Sequence, residues 1–349
     1  MTAASHLPPL TPIREKHRFD EGALAAYLST HVPGCRGALD IQQFEGGQSN
    51  PTFLIRTGDR AFVMRKKPPG KLLKSAHQID REHRVIHALR DSGVPVPETY
   101  VLCQDESVIG SEFFVMDYVE GRVIADSKLP GFEPAERTAL HFHAMDVLAA
   151  IHRVDPEAVG LGDFGRPGNY YERQISRWSR QYEASKTEEI EAMTALAEWL
   201  PANIPASDGS GVVHGDYRIG NCIIHPTEPR IVAVLDWEIS TLGHPLGDLA
   251  YYCLPFHGAS SIGDDLRKVD LEAAGIPSEE AMLARYSEMA GWPVKDWDFY
   301  IIFQMFRSAS IVQGVYKRGL DGNASSSRAT SFGDLVKHHA NLAWRKVQG

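Results

Sequence analysis

The first third of the chain alternates short apolar runs with polar turns, a pattern typical of an antiparallel sheet. A Gly-rich turn at 45–50 separates the first two runs, and a tight turn at 57–60 separates the next two. Because each turn reverses the chain, the runs predict a meander of neighbouring strands. The predicted strands span 40–44, 52–56, 61–65, 98–103 and 112–118.

Helical spacing replaces this alternation elsewhere. Apolar residues at Ile79, Val85, Ile86 and Leu89 predict a helix over 75–92 with one buried face. After residue 132 the pattern is mostly helical, and the clear strands there are 212–213, 222–224 and 231–235. The other predicted helices span 20–32, 133–152, 169–185, 187–200, 278–290, 295–318 and 330–347.

The segment Phe113–Gly121 changes from apolar residues to polar residues and glycine, and we place a lobe boundary there. We predict a Pro- and Thr-rich arm over 1–18, a small β-rich lobe over 19–119 and a larger helical lobe over 120–349. The fold class is therefore α+β and bilobal, with one main helix beside the small antiparallel sheet.

Two segments of the larger lobe indicate chemistry. His214–Asn221 has the form H-G-D-x-x-x-x-N, and the apolar run at 231–235 ends in Asp236-Trp237-Glu238. Phosphoryl transfer needs a base near the attacking hydroxyl and oxygen ligands for Mg²⁺. Asp216 fits the base, and Asn221 and Asp236 fit the ligands. The alternative, that Asp216 only caps a turn, does not explain the asparagine and the acidic pair that follow it.

Neighbouring residues have two interpretations each. If the segment is extended, Glu238 lies one strand pitch from Asp236 and faces the same way, so it either assists the metal or is a surface carboxylate. Arg218 stands where protein kinases place a lysine against the γ-phosphate, and the alternative is a solvated arginine. His214 follows a buried apolar pair and is expected to brace the loop rather than transfer protons.

Composition and charge narrow the function classes. The 349 residues are 43% hydrophobic and carry a net charge of −9, which argues against a general nucleic-acid or anionic-membrane binder. The four cysteines show no C-x-x-C spacing, so we expect thiols in a reducing cytoplasm rather than a disulfide framework or a zinc site. No signal peptide and no apolar run of about 20 residues is apparent, so no membrane association is expected.

Three phrases carry a family resemblance: Gly47–Phe53, Arg65–Gly70 and Leu235–Gly243. Together with the His-Gly-Asp and Asp-Trp-Glu segments, they resemble the aminoglycoside-phosphotransferase and choline-kinase-like group. The nearest likeness is to the kinase-like domain found in, or beside, some acyl-CoA dehydrogenases. The resemblance covers roughly 20–345 and implies a bilobal protein-kinase-like fold. It also implies ATP and Mg²⁺ as cofactors, a nucleotide-binding N-lobe, and a C-lobe that holds the catalytic and acceptor-binding residues.

The resemblance assigns cofactor contacts to three N-lobe segments. The Gly-rich turn would cover the phosphates, although an ordinary hairpin turn is the alternative. A strand cation would reach the α- and β-phosphates: Arg65 occupies the usual lysine position, while Lys66 points to the opposite face. The third segment is an interlobe hinge whose backbone would face the adenine. The residues of these three segments are Gly46, Gly47, Gln48, Ser49, Asn50, Arg65, Met116, Asp117 and Val119, and the resemblance adds Glu82 of the following helix as the partner of the cation.

Glu82, in the predicted helix over 75–92, is either the ion-pair partner of the strand cation or a surface charge paired along its own helix. The two interpretations place the carboxylate differently. A partner of the cation must be buried against the sheet, whereas a surface charge faces water.

The expected activity is ATP- and Mg²⁺-dependent phosphorylation of a small-molecule hydroxyl. The link to acyl-CoA dehydrogenases suggests a hydroxyacyl or hydroxyacyl-CoA acceptor. An aminoglycoside-type antibiotic phosphotransferase and a catalytically silent nucleotide-binding scaffold remain alternatives. A pocket for aminoglycosides should be acidic, whereas one for CoA should carry Lys or Arg. Candidates for the latter are Lys71, Lys74, Lys317 and Arg318.

Overall fold

A computed structural model describes residues 9–45, 50–68, 78–166, 168–206, 209–260, 263–322 and 329–349. The chain forms two compact units. Unit 1 comprises the residues through Ile124 together with Asn221–Ser240, and unit 2 comprises Ala125–Gly220 and Thr241–Gly349. The segment that carries Asn221 and Asp236 therefore belongs to the unit that contains the larger sheet.

The described residues form strands and helices in both units. In chain order, the strands are β1 (Leu10–Thr11), β2 (Asp40–Phe44), β3 (Thr52–Thr57), β4 (Arg60–Lys66), β5 (Thr99–Cys103), β6 (Phe113–Asp117), β7 (Gly211–Val213), β8 (Cys222–Ile224), β9 (Ile231–Val234) and β10 (Thr241–Gly243). The helices are α1 (Glu21–His31), α2 (Ile79–Leu89), α3 (Pro134–Arg153), α4 (Tyr170–Ser185), α5 (Glu191–Ala202), α6 (Leu246–Cys253), α7 (Leu271–Ala274), α8 (Glu279–Ala290), α9 (Trp297–Leu320) and α10 (Gly333–Gln348).

Unit 1 is built on a six-stranded sheet with strand order β1-β2-β3-β4-β6-β5, and every pairing in it is antiparallel. The predicted antiparallel sheet and the mixed α+β class are confirmed. Alternation along β4 places Phe62 and Met64 in a hydrophobic cluster with α1. Arg65 therefore emerges on the opposite face of the sheet, and Lys66 returns to the face that α1 covers.

On the second face of the sheet in unit 1, α2 lies beside the turn that follows the β8–β9 hairpin. Helix α2 packs against β5, β6 and the turn Trp237–Ile239 that follows the hairpin. The Trp237 side chain is fully buried, and its indole N–H donates a hydrogen bond to the Val234 carbonyl over 2.9 Å. This anchor fixes the position of the acidic residues on either side of the tryptophan.

Unit 2 is mainly helical, as the sequence predicts. Helix α9 is buried along most of its length and packs against α4, α6 and α10, while α3 packs against α8. Strands β7 and β10 form a short antiparallel ladder. None of the helices in the described part of the chain combines the length and apolar character required to cross a membrane.

Three elements of unit 2 were missing from the prediction: α6, the single-turn helix α7 and β10. All eight residues of α6 are buried, so the helix lacks the polar face that produces a helical pattern. Strand β10 has three residues and depends on its pairing with β7, which no local pattern reveals. The strands predicted for the second half of the chain were therefore incomplete.

Candidate functional site

In unit 1, the site forms around Arg65 on β4. Arg65 is 8% exposed, and its Nη1 lies 2.8 Å from Oε1 of Glu82 on α2. The other terminal nitrogen, Nη2, lies 3.4 Å from Oδ1 of Asp236 and 3.9 Å from Oε2 of Glu238. Glu82 is buried, which fits the ion pair and not the surface alternative. Arg65 thus joins a buried carboxylate to two carboxylates of the Asp-Trp-Glu segment.

The β8–β9 hairpin brings Asn221 and Asp236 to the same end of its ladder. Cys222 pairs with Val234, and the Leu235 amide donates to the Asn221 carbonyl over 2.8 Å. Asp236 follows immediately with φ 68° and ψ 52°, a left-handed conformation that non-glycine residues seldom adopt. Such backbone strain concentrates at functional sites, and here it turns the carboxylate toward Arg65.

Asn50 is the described residue of the predicted phosphate turn. It is fully buried, and its Nδ2 donates to Oε2 of Glu238 over 3.4 Å. The end of the turn therefore contacts the acidic segment within unit 1. The remaining predicted members of the turn, Gly46, Gly47, Gln48 and Ser49, lie outside the described residues.

The residues present fit a magnesium nucleotide. Arg65 Nε and both carboxylate oxygens of Glu82 are buried without a well-aligned hydrogen bond, although the charged groups lie within ion-pair distance. Buried polar atoms of this kind are costly unless a ligand or a rearrangement satisfies them. The described residues contain no group of three His, Cys, Asp or Glu side chains able to hold a metal. Mg²⁺ commonly takes one or two protein carboxylates and completes its shell with phosphates and water.

Lys66 and the predicted hinge residues have surroundings that differ from those of Arg65. Lys66 is buried with its Nζ 5.3 Å from the centre of the Phe19 ring, and burial lowers its pKa. Met116 is buried in β6, Asp117 ends that strand, and Val119 is half-buried two residues beyond it. The Asp117 carboxylate accepts a hydrogen bond from the Tyr100 hydroxyl over 2.6 Å. The structure therefore brings Arg65, and not Lys66, to the acidic residues.

The Glu82 carboxyl should make the difference in unfolding free energy between the wild type and a Glu82→Gln variant depend on pH. Burial raises the pKa of its carboxyl to about 7, while Arg65 opposes the shift and Asp236 and Glu238 add to it. Since the pKa in the folded state exceeds the unfolded value, this carboxyl favours folding below about pH 4.5, and the benefit is lost as pH rises toward 7. We expect Glu82→Gln to gain stability relative to the wild type across this window, on the order of 2–3 kcal/mol.

Urea denaturation of both proteins between pH 4.5 and 8 measures this difference. Asp59→Asn, a change on an exposed turn of the same unit, is the control and should follow the wild type at every pH. A constant difference between Glu82→Gln and the wild type over the whole range would show that Glu82 does not titrate there.

In unit 2, Asp248 holds the backbone that leads to Asp216. Its Oδ2 accepts from the His214 amide over 2.6 Å, and its Oδ1 accepts from the Gly215 amide over 2.8 Å. His152 lies 3.4 Å from the same carboxylate. Although burial opposes ionisation, the hydrogen bond and charge of His152, with smaller contributions from His214 and the Gly215 amide, lower the pKa of Asp248. An ionised, buried carboxylate thus fixes the loop, and His214 supports it.

Asp216 lies at the end of this braced segment. Its amide donates to Nδ1 of His214 over 3.2 Å, and its side chain remains partly exposed. Arg218 Nε is 3.7 Å from the Asp216 carboxylate. Gly215 adopts φ 86°, a left-handed conformation that favours glycine, so the turn before Asp216 requires this residue. The arrangement presents a carboxylate and a cation on a fixed loop.

Sequence reasoning gave no role to Arg307, which contacts the same loop. Its Nη2 donates to the Gly215 carbonyl over 2.6 Å, and its Nη1 donates to Oε1 of Gln304 over 3.1 Å. The sequence feature that pointed to Arg307 is that it is a lone arginine within the apolar run of α9, since a buried charge in such a run requires specific contacts.

Of the lysines predicted for a CoA pocket, Lys71 and Lys74 lie outside the described residues, and Lys317 pairs with Asp321.

Comparison with known proteins places the chain in a family. Residues 40–292 match the model of the phosphotransferase enzyme family (APH). The chain belongs to this family. The predicted resemblance is therefore confirmed, and so is the fold expected from it. The APH family match covers β2 to α8, which includes Arg65, Asp216, Asn221 and Asp236.

Curated relatives of this APH chain are longer than it is. Acyl-CoA dehydrogenase family member 10 of Mus musculus is 44% identical over 345 residues, which are 97% of this chain and 32% of the relative. Acyl-CoA dehydrogenase family member 11 of Gallus gallus is 44% identical over 340 residues, which are 95% of this chain and 44% of the relative. The chain therefore spans less than half of either protein.

Solved structures show the same fold. A candidate aminoglycoside phosphotransferase from Ralstonia eutropha is 48% identical, with a TM-score of 0.87 over 95% of this chain and 99% of that one. A spectinomycin phosphotransferase in complex with ADP and spectinomycin has a TM-score of 0.63 at 14% identity over 95% of this chain and 99% of that one. At that identity the second likeness concerns the fold alone.

Proposed function

We propose that this chain is an ATP- and Mg²⁺-dependent phosphotransferase that acts on a hydroxyl group of a small molecule. The observation that carries the proposal is the arrangement around Arg65, where a buried Glu82 lies on one side and Asp236 lies on the other. An arginine held between these carboxylates can contact nucleotide phosphates through its guanidinium fork. Asp236 and Asn221 would then bind Mg²⁺ through oxygen atoms.

Each residue has a defined task in this proposal. Asp216 accepts the proton from the acceptor hydroxyl as the oxygen–phosphorus bond forms and the bond from the γ-phosphorus to ADP breaks. Arg218 contacts the transferred phosphoryl group and stabilises its negative charge. When bound, Mg²⁺ would supply charge neutralisation at the β- and γ-phosphates. Backbone groups of Asp117 and Val119 would bind the adenine edge, with Met116 behind it.

The acceptor we favour is a hydroxyacyl group, free or as its CoA thioester. Support comes from the relatives, which are named as acyl-CoA dehydrogenase family members and contain a segment 44% identical to this chain. An aminoglycoside acceptor is the second candidate, because solved structures of the same fold contain hygromycin B or spectinomycin. A scaffold that binds nucleotide without turnover is the third.

A two-stage experiment tests the proposal. ATP is expected to raise the thermal unfolding midpoint (Tm) by several degrees only when Mg²⁺ is present. A ligand at 100 times its Kd adds about 2.7 kcal/mol to the free energy of unfolding. A screen for ATP consumption then covers hydroxyacyl-CoAs, hydroxy acids, sugars, amino alcohols and aminoglycosides. Acceptor-dependent ADP release supports the phosphotransferase. Stabilisation without turnover on any acceptor favours the scaffold, and no stabilisation contradicts nucleotide binding.

A further inference from the structure

Two arginines share one indole ring in unit 2. The guanidinium carbon of Arg177 lies 5.3 Å from the centre of the Trp178 ring, and that of Arg307 lies 5.4 Å from the same centre. The Arg307 guanidinium also lies 5.0 Å from the centre of the Tyr251 ring. Contacts of this type stabilise each cation, but they leave its charge uncompensated.

Neither arginine has a carboxylate within 4.0 Å in the part of the chain that the structure describes. Arg307 is only 7% exposed, and its hydrogen bonds go to neutral acceptors, the Gln304 side chain and the Gly215 carbonyl. Arg177 is exposed at its position on α4, yet partial desolvation of its guanidinium, and after it the charge of Arg307, lower its pKa. Two cations that repel each other on one ring would both be stabilised by an anion.

The cluster adjoins the loop that carries Asp216. Arg307 donates to the carbonyl of Gly215, the residue immediately before Asp216. Tyr251, which the Arg307 guanidinium covers, lines a small cavity together with Arg218. The carboxylate of Asp264 lines that cavity too, where it accepts hydrogen bonds from the Ser127 amide and hydroxyl over 3.0 and 2.6 Å. The cluster therefore contacts the loop that carries Asp216 through Arg307, and Tyr251 connects it to the cavity that Arg218 lines.

We infer that Arg177 and Arg307 bind an anionic group, a carboxylate or a phosphate, on the molecule whose hydroxyl is phosphorylated. The inference rests on the proposed function and sharpens it, because it makes the acceptor a hydroxylated anion. It also disfavours an aminoglycoside, whose several ammonium groups would be repelled by two uncompensated guanidinium groups. Arg307 also donates a hydrogen bond to the Gly215 carbonyl, so changing it would disturb the loop that carries Asp216. Arg177 is therefore the residue to substitute.

The test compares three acceptors that share one hydroxyacyl chain. The CoA thioester carries phosphates, the free hydroxy acid carries a carboxylate, and the N-acetylcysteamine thioester is neutral. We expect Arg177→Gln to raise KM about 10- to 100-fold for the anionic acceptor that the site binds, because a charge-assisted hydrogen bond contributes about 1.5–3 kcal/mol. Its kcat should stay within about twofold, and the KM of the neutral thioester should not change.

Arg345→Gln is the matched control, since it removes the same charge from an exposed position on α10. It should leave all three KM values unchanged. An effect of Arg177→Gln confined to the CoA thioester identifies a phosphate, and one confined to the free acid identifies a carboxylate. Equal effects on charged and neutral acceptors, or no effect on either, would overturn the inference.

A binding measurement separates failure of this inference from failure of the proposed function. Calorimetric titration with coenzyme A, and separately with the free hydroxy acid, is performed with Mg²⁺ and saturating AMP-PNP so that the nucleotide site is filled. The wild type should bind one of these anions at least about tenfold more tightly than Arg177→Gln does. If no acceptor is phosphorylated but this difference in affinity is found, the anion site is supported and the proposed phosphotransferase activity is contradicted. Equal binding, or none, overturns the anion site.

Discussion

Replacing Asp216 with asparagine will lower kcat for phosphoryl transfer by about 10²- to 10⁴-fold, the usual contribution of a positioned general base. The amide has nearly the shape of the carboxylate but cannot accept the hydroxyl proton. The loop should persist, because its backbone is held by Asp248 and Arg307 rather than by the Asp216 side chain. The measurement is initial-rate ADP release with the best acceptor from the screen.

Two controls distinguish a loss of proton transfer in Asp216→Asn from a loss of folding or of nucleotide binding. The thermal midpoint of Asp216→Asn should match that of the wild type, since a partly exposed pair such as Asp216 and Arg218 contributes little to stability. Its stabilisation by Mg²⁺ and AMP-PNP should also be unchanged. Wild-type kcat in this variant would remove Asp216 from the mechanism, and a large loss of stability would assign it to folding instead.

Replacing Asp236 with asparagine should produce the second large effect. An amide oxygen is a weaker ligand for Mg²⁺ than a carboxylate, so the Mg²⁺ concentration for half-maximal rate should rise and kcat should fall about 10²-fold or more. Asparagine tolerates the left-handed backbone found at this position, so the substitution tests the charge without straining the turn. A titration of rate against Mg²⁺ at fixed ATP gives both quantities.

Glu238→Gln is the informative comparison for this titration, because Glu238 is two residues away and also faces Arg65 over 3.9 Å. If Asp236 is a metal ligand and Glu238 only helps to hold Asn50 and Arg65, the Glu238 variant should keep the Mg²⁺ dependence of the wild type. Equal Mg²⁺ curves for Asp236→Asn and the wild type would contradict the metal role of Asp236.

The sequence allowed the sheet of unit 1 to be predicted because its strands alternate and its turns carry glycine. The same alternation separates Arg65 from Lys66, since neighbouring residues of a strand face opposite sides. The sequence did not decide between the two interpretations of Glu82, because a helix carboxylate that pairs with a cation of the sheet and one that lies on the surface have the same spacing. Its burial against Arg65 is a property of the tertiary packing between α2 and β4.

Other features were beyond the reach of local patterns. Helix α6 is buried on every side, so its sequence lacks the periodicity that would have predicted a helix. Asp248 and His152 are 96 positions apart in sequence, yet the fold joins them behind the loop that carries Asp216. Arg307 lies in an apolar run, and only the packing of α9 shows that it contacts Gly215 and the indole of Trp178.

The central claim is that the chain transfers the γ-phosphoryl group of ATP to an acceptor hydroxyl. The most direct measurement is a single-turnover reaction with γ-labelled ATP, Mg²⁺, enzyme in excess and the hydroxyacyl acceptors, followed by separation of the labelled products. We predict that the label moves to the acceptor, with equimolar ADP, and that Asp216→Asn blocks the transfer. Label that stays on ATP, or appears only as inorganic phosphate with every acceptor, would contradict the claim.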